Sequence, residues 1–146
     1  MLVVEVAPFK DADPKANILM YGHFDKQPPF EGWREGLGPT KPVLEGNLLY
    51  GRGAADDGYA VYASIGGIKA CQTQNIPHSR IVILIEGSEE SSSPHLAAYF
   101  EHLSSLIKTP DVVVCLDSGC GDYERFWVTT TLRGATKVDL SVSILQ

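Results

Sequence analysis

The sequence predicts an α/β fold in three layers, a sheet with helices on both faces, and three observations predict it. Apolar β-prone runs alternate with helix-like segments in the order strand, helix, strand, helix, strand. The run Ile81 to Ile85 holds β-prone apolar residues without interruption, as a central strand covered on both faces requires. Of the 146 residues 44% are hydrophobic and 21% charged, enough apolar surface for one core of ordinary domain size.

Taken in order, Leu2 to Val6 reads as a strand and Lys10-Asp11-Ala12-Asp13-Pro14 as a polar turn. Asn17 to Tyr21 is a short buried strand that Gly22 ends. The Pro- and Gly-rich stretch from Lys26 to Asn47 is too long for a plain connection and predicts a structured loop anchored by Phe30 and Trp33. Leu48 to Tyr50 is a short strand leading into Gly51-Arg52-Gly53-Ala54-Ala55-Asp56-Asp57-Gly58, the turn around which the chain is organised. Tyr59 to Ala70 reads as a closely packed, buried helix, which Asn75-Ile76-Pro77 breaks off. The central strand then runs into Glu86-Gly87-Ser88-Glu89-Glu90. Ser91-Ser92-Ser93-Pro94 offers a cap and a first-turn proline for a helix from His95 to Ile107. Val112 to Leu116 is another buried strand, ending at Asp117. From Glu124 the pattern alternates, through Phe126-Trp127-Val128 and then Val138, Leu140, Val142 and Ile144, which predicts antiparallel strands.

A formal net charge of -6, with no block of Lys and Arg, argues against nucleic acid or an anionic membrane surface as partner and suits a site that collects cations. Cys71, Cys115 and Cys120 make an odd set with no CxxC pair, the pattern of reduced thiols in a cytoplasmic compartment. Cys115 reads as a small apolar strand residue. The opening Met1-Leu2-Val3-Val4-Glu5-Val6 lacks a basic segment ahead of a long apolar core, so it does not read as a signal peptide, and no apolar run reaches membrane-spanning length.

The chemistry lies where the strands end. Four strand-like runs close on His23 with Asp25, on Asp56, on Glu89 with Glu90, and on Asp117. A lone His is more often structural than a ligand, and a strand-terminal Asp is often only a helix cap. Four such endings on one sheet edge are far less often coincidence, and that edge is where open α/β sheets bind ligands. Imidazole with carboxylates suits zinc, manganese or similar ions, and carboxylates can bridge a pair of them. The His-x-Asp spacing lets Asp25 orient the imidazole. Of two adjacent glutamates, one can bind metal while the other acts as general base.

GHFDKQPPFEGW, LLYGRGAADDGYA, VILIEGSEESSS and VVVCLDSG, in this order and roughly this spacing, resemble the M20 family of metallopeptidases in its carnosinase-like dipeptidase branch, as far as Arg133-Gly134. The resemblance implies a zinc-peptidase-like catalytic domain over residues 1–134 and the start of a lid and dimerisation domain over 135–146, truncated at both ends. It implies two divalent metal ions, zinc first and manganese as the alternative. His23 and Asp117 would bind one ion, Glu90 the other, and Asp56 both, with Asp25 behind His23. The peptide bond after Asp56 is often cis in the family, with Asp57 supporting that geometry. Glu89 would be the general base that takes a proton from a water activated between the metals. The implied reaction is hydrolysis of a dipeptide or related amide, with a small peptide as substrate and a homodimer formed through the lid.

This chain departs from the family pattern at Gly58-Tyr59, where Lys-Gly often comes after the two aspartates. The family's remaining His ligand and its lid belong to segments that do not match here, and each lost transition-state contact costs about 2–4 kcal/mol. The expectation is therefore partial metal loading and little turnover by this chain alone. His78, His95 and His102 read as surface or packing residues. A different class of function, a non-catalytic binding or assembly module on the same fold, is disfavoured because Asp56 and Glu89 are both kept.

Overall fold

The computed structural model describes residues 1–144. Its strands are β1 (Leu2–Val6), β2 (Asn17–His23), β3 (Val43–Glu45), β4 (Leu48–Tyr50), β5 (Arg80–Glu86) and β6 (Val112–Cys115). Its helices are α1 (Tyr59–Thr73), α2 (Leu96–His102) and α3 (Ser104–Ile107). Four strands form one sheet in the order β1-β5-β2-β6, and β3 pairs with β4 as a separate hairpin. β2 runs parallel to both of its neighbours, whereas β1 is antiparallel to β5 at the edge.

Every residue of β5 is buried, as an uninterrupted apolar run demands. Alternate side chains feed opposite faces. Val82 and Leu84 pack with Leu19 and Ile107, backed by Leu96, Phe100 and Leu103 from the α2–α3 side. Ile81, Ile83 and Ile85 pack with Ile68 of α1 and with Ile18, Met20 and Val61. Helices thus cover both faces, and the predicted three-layer α/β class is observed.

Several elements depart from expectation. α1 is buried only along the stripe Ala60, Ser64 and Ile68, while Tyr62 and Ile65 are exposed and Gly66 and Gly67 face open space. It is a one-sided helix, since the sheet covers one face only. The helix expected over 95–107 is interrupted at Leu103, and His95 rather than a serine occupies its N-cap, so Pro94 precedes the helix instead of opening it. Ser93 is diverted: its hydroxyl donates to Glu86 Oε1 at 2.7 Å. The strands expected at 126–128 and 138–144 do not form, and Phe126, Val138, Leu140 and Ile144 are exposed. Alternation defines a face, but a strand also needs a neighbour for its amides and carbonyls, and none pairs with it among the described residues. Leu145 and Gln146, the end of that segment, lie outside the described residues.

The loop after β2 is structured. Its end forms the β3–β4 hairpin around Gly46-Asn47, with Gly46 at φ +58°. Phe30 and Trp33 do anchor it: the Arg52 guanidinium stands 5.1 Å from one ring centre and 5.9 Å from the other. The loop is thereby held against the turn that carries Asp56.

The opposite edge of the sheet is closed by Arg80. Its guanidinium donates to Glu5 (2.6 Å), Asn17 Oδ1 (2.6 Å) and the Leu106 carbonyl (2.6 Å), joining β1, β2 and α3. Arg80→Ala leaves the buried Asn17 oxygen and the Leu106 carbonyl without these donors, and a loss of about 2–4 kcal/mol in denaturant-measured stability is expected. A change below about 1 kcal/mol, on the order of an exposed ion pair, would show that this network contributes little.

Candidate metal centre

Topology assembles the site. β5 and β6 flank β2 and run parallel to it, so all three strands deliver their carboxyl ends to the same edge. His23 is the last residue of β2, directly beside Glu86 of β5, and Phe24 N–H extends the ladder to the Glu86 carbonyl at 2.8 Å. Glu89 and Glu90 come after β5 in a short 3-10 turn, Glu89–Ser91, and Asp117 lies just beyond β6. Asp56 comes from the turn between β4 and α1, and the Asp56–Asp57 peptide bond is cis.

These side chains converge on His23, whose ring is fully buried. From His23 Nε2 it is 3.3 Å to Asp56 Oδ1, 3.6 Å to Asp117 Oδ2 and 3.8 Å to Glu89 Oε2. The other ring nitrogen, Nδ1, lies 3.1 Å from the Asp25 carbonyl and 3.4 Å from Asp25 Oδ1. That contact faces the ring so that Nε2 points at the acids. Asp25 also holds the neighbouring turn, because its two carboxylate oxygens accept the amides of Glu89 (3.1 Å) and Glu90 (3.0 Å). Asp57 is buried and accepts the His23 amide at 3.0 Å. Asp56 by contrast is half exposed at 53%.

The donor set fits a divalent ion. His23 Nε2 is buried and makes no hydrogen bond, and neither does Glu90 Oε1. Two ligand atoms about 2.1 Å from one tetrahedral ion stand about 3.4 Å apart. Asp56 and Asp117 lie near that spacing from His23 Nε2, at 3.3 and 3.6 Å. Ligand atoms of His23, Asp56 and Asp117 all fall within 4.8 Å of one another, and so do those of His23, Glu89 and Glu90. Every residue singled out in the sequence is therefore at this edge. Sequence reasoning passed over Gln27, whose amide donates to Glu90 Oε2, and Glu86, buried behind the turn. The one signal for Glu86 is a charge closing the apolar run Ile81 to Ile85. Of the other histidines, His78 is a packing residue stacked on Phe9 at 5.7 Å, and His95 and His102 sit at the two ends of α2.

Crowded acids hold protons tightly. Burial raises the Glu89 carboxyl above its ordinary 4.5; His23 opposes the rise and the charges of Asp117, Glu90 and Asp25 add to it. Asp57 is raised above 3.8 by burial, with Asp117 adding to it against the bond from the His23 amide. Burial pulls His23 down, but the Asp25 carbonyl and the charges of Asp117, Asp57 and Glu89 outweigh it, and the net shift is upward from 6.5. A raised value means that the folded chain binds the proton more tightly than the unfolded one. The support His23 gives the fold is complete below 6.5 and is lost as the pH rises through its raised value. Ion binding runs the other way, because the ion needs the same atoms unprotonated. Between about pH 6 and about pH 8 the melting temperature of the metal-free chain should fall while that of the zinc-supplemented chain should rise. Parallel slopes in thermal scans would mean that His23 does not meet the ion.

Gly22 keeps the site open from below. A Cβ there would stand 2.6 Å from Ala60 Cβ and 2.7 Å from Asp57 Oδ2. Gly22→Ala is expected to cost about 1–3 kcal/mol and to weaken zinc binding by displacing the carboxylate that holds the His23 amide. Unchanged melting and zinc titration would show that the packing yields freely.

A layered α/β sheet with an imidazole and carboxylates gathered at its carboxyl edge is the arrangement of a metal-dependent hydrolase domain. Residues 19–130 match the family model described as peptidase family M20/M25/M40, and the chain belongs to that family. By lineage it is a metallopeptidase domain. It is 39% identical over 126 residues to the succinyl-diaminopimelate desuccinylase of Acidiphilium cryptum, covering 86% of this chain and 33% of that protein. It is 31% identical over 133 residues to the Cys-Gly metallodipeptidase of Candida albicans, covering 82% and 24% respectively. Among solved structures it resembles human carnosine dipeptidase 1, with a TM-score of 0.65, 29% identity, and coverage of 80% of this chain and 25% of that one. The chain spans a third or less of the length of these relatives. Among the described residues no helix is long and apolar enough to cross a membrane.

Proposed function

We propose that the chain carries the metal site of an enzyme that hydrolyses dipeptides or related amides. The observation that carries the reading is His23 Nε2, buried without a hydrogen bond and surrounded by oxygens of Asp56, Asp117 and Glu89. In this reading His23 and Asp117 hold one divalent ion, Glu90 holds a second, and Asp56 is shared between them. Zinc suits the set best and manganese is the alternative. When bound, the ions supply Lewis acidity, which polarises a carbonyl and acidifies a water.

The chain's own residues do the rest. Asp25 aims the imidazole through Nδ1 and, by holding two amides, fixes the turn that bears Glu89 and Glu90. Glu89 is the general base: burial raises its carboxyl, which makes it a stronger base than a free glutamate for taking a proton and returning it to a leaving amine. Asp57 holds the His23 backbone by accepting its amide. The names of the similar proteins, a desuccinylase and a dipeptidase, both support an amide as the bond attacked.

The division into a catalytic part at 1–134 and the start of a lid at 135–146 belongs to this reading, as does a homodimer formed through the lid. So does a cytoplasmic setting, which the three free cysteines support. Little turnover is expected of this chain by itself, since a half-exposed Asp56 leaves developing charge facing water, where fixed dipoles act weakly. The test is a zinc titration of the chain followed by release of amine from a panel of dipeptides and N-acyl amino acids. Tight zinc binding with slow, zinc-dependent release supports the reading; absence of zinc binding removes it.

A further inference from the structure

We propose that Glu86 is a positioning residue whose carboxylate fixes the turn bearing Glu89 and Glu90, an inference that rests on the metal-site reading of those two glutamates. Glu86 ends β5 and is 2% exposed, and among the described residues its carboxylate makes no hydrogen bond or ion pair with the converging side chains. A buried carboxylate is costly unless hydrogen-bonded, and this one accepts from three hydroxyls. Tyr21 and Ser93 donate to Oε1, the latter at 2.7 Å, and Ser88 lies 3.3 Å from Oε2.

Two of those donors bracket the turn. Ser88 is its N-cap, and its carbonyl accepts the amides of Ser91 (3.2 Å) and Ser93 (2.9 Å). Ser92 and Ser93 both take left-handed backbone angles, φ +69° and +47°, which L-residues with a Cβ rarely adopt and which must be held by their surroundings. The bond from Ser93 to Glu86 is such a hold. Asp25 secures the two amides from the front, and Glu86 secures both ends of the turn from behind. Tyr21, from β2, completes the link to the strand that ends in His23. The turn is thus referenced to the same strand as the imidazole, which fixes the spacing between Glu89 and His23.

The test is hydrogen exchange on the metal-free 146-residue chain, residue by residue, with Ser93→Ala, Ser93→Gly and Glu86→Gln beside the native sequence. In Ser93→Ala the amides of Glu89, Glu90 and Ser92 should exchange about tenfold faster, the scale of one lost hydrogen bond to a charged group. Those of Val82 to Leu84 should not change. Ser93→Gly relieves the left-handed strain but also lacks the hydroxyl, so it should exchange as fast as the alanine variant. Restored protection in the glycine variant would assign the effect to strain and overturn the tether, as would equal acceleration in β5. Glu86→Gln should accelerate the same amides. Zinc titration of Ser93→Ala should weaken one equivalent about 10–100-fold and spare the other; equal weakening of both would make the role merely structural. If the native chain binds no zinc, the metal-site reading falls, and the exchange data still decide the tether.

Discussion

Replacing Asp56 with alanine is expected to abolish zinc binding. Asp56 Oδ1 lies 3.3 Å from His23 Nε2, nearer than any other carboxylate oxygen of the cluster, and its side chain is open enough to meet a second ion on its far side. Loss of a residue that merely orients a ligand costs about 10–100-fold in affinity, so loss of a carboxylate shared by two ions should exceed that for both. Titration calorimetry or a competing zinc indicator reads this directly. The substitution removes a half-exposed side chain whose ion-pair contact is with His23, so the metal-free stability should change by no more than an exposed ion pair, about 1 kcal/mol. Zinc binding that survives Asp56→Ala at native strength would place the ions elsewhere, and the convergence at this edge would then be incidental.

The second large effect concerns Glu89. Glu89→Gln keeps shape and hydrogen-bonding length but cannot take up a proton, and whatever turnover the zinc-loaded chain supports should fall by about 10²–10⁴-fold. Zinc stoichiometry should be unchanged, because His23, Asp56 and Asp117 already stand at ligand spacing and Glu89 Oε2, at 3.8 Å, is the farthest of the three oxygens within 4 Å of Nε2. The paired readout matters. Glu89 also falls within ligand reach of His23 and Glu90, so a fall in zinc affinity as deep as that of Asp56→Ala would make it a ligand and remove it as the base.

The central features of this fold were legible because each is written locally. Ile81 to Ile85 is apolar without a break, and such a run has few places to go except between two layers. The candidates at 23, 89–90 and 117 are legible for a related reason: they end or follow strands that lie parallel in one sheet and share a carboxyl edge, whereas Asp56 arrives from the turn after the separate β3–β4 hairpin. The parts that were not legible depend on partners far along the chain. Phe126 to Val128 and Val138 to Ile144 alternate as strands do, but pairing is a property of two segments and the pattern describes only one. The helix after Pro94 begins where the sequence predicts but breaks at Leu103, and its cap differs, since Ser93 serves Glu86 across the turn rather than the helix beside it. Glu86 itself looks in sequence like any charge at a strand end. Only the fold places three hydroxyls around it.

Residues from four separated chain segments, at 23, 56, 89–90 and 117, meet at one point. An ion held there acts as a cross-link closing three long loops at once, and it does so with no covalent bond. Free ion at about 100 times its dissociation constant would add about 2.7 kcal/mol to the stability of the chain. The segment after β6 gains most, because Asp117 is the point at which it would be tied to the sheet. Chelation should therefore open the chain first on the carboxyl side of Asp117, where a protease would cut. The availability of metal in the surroundings would then set how long the polypeptide survives, apart from any reaction it performs.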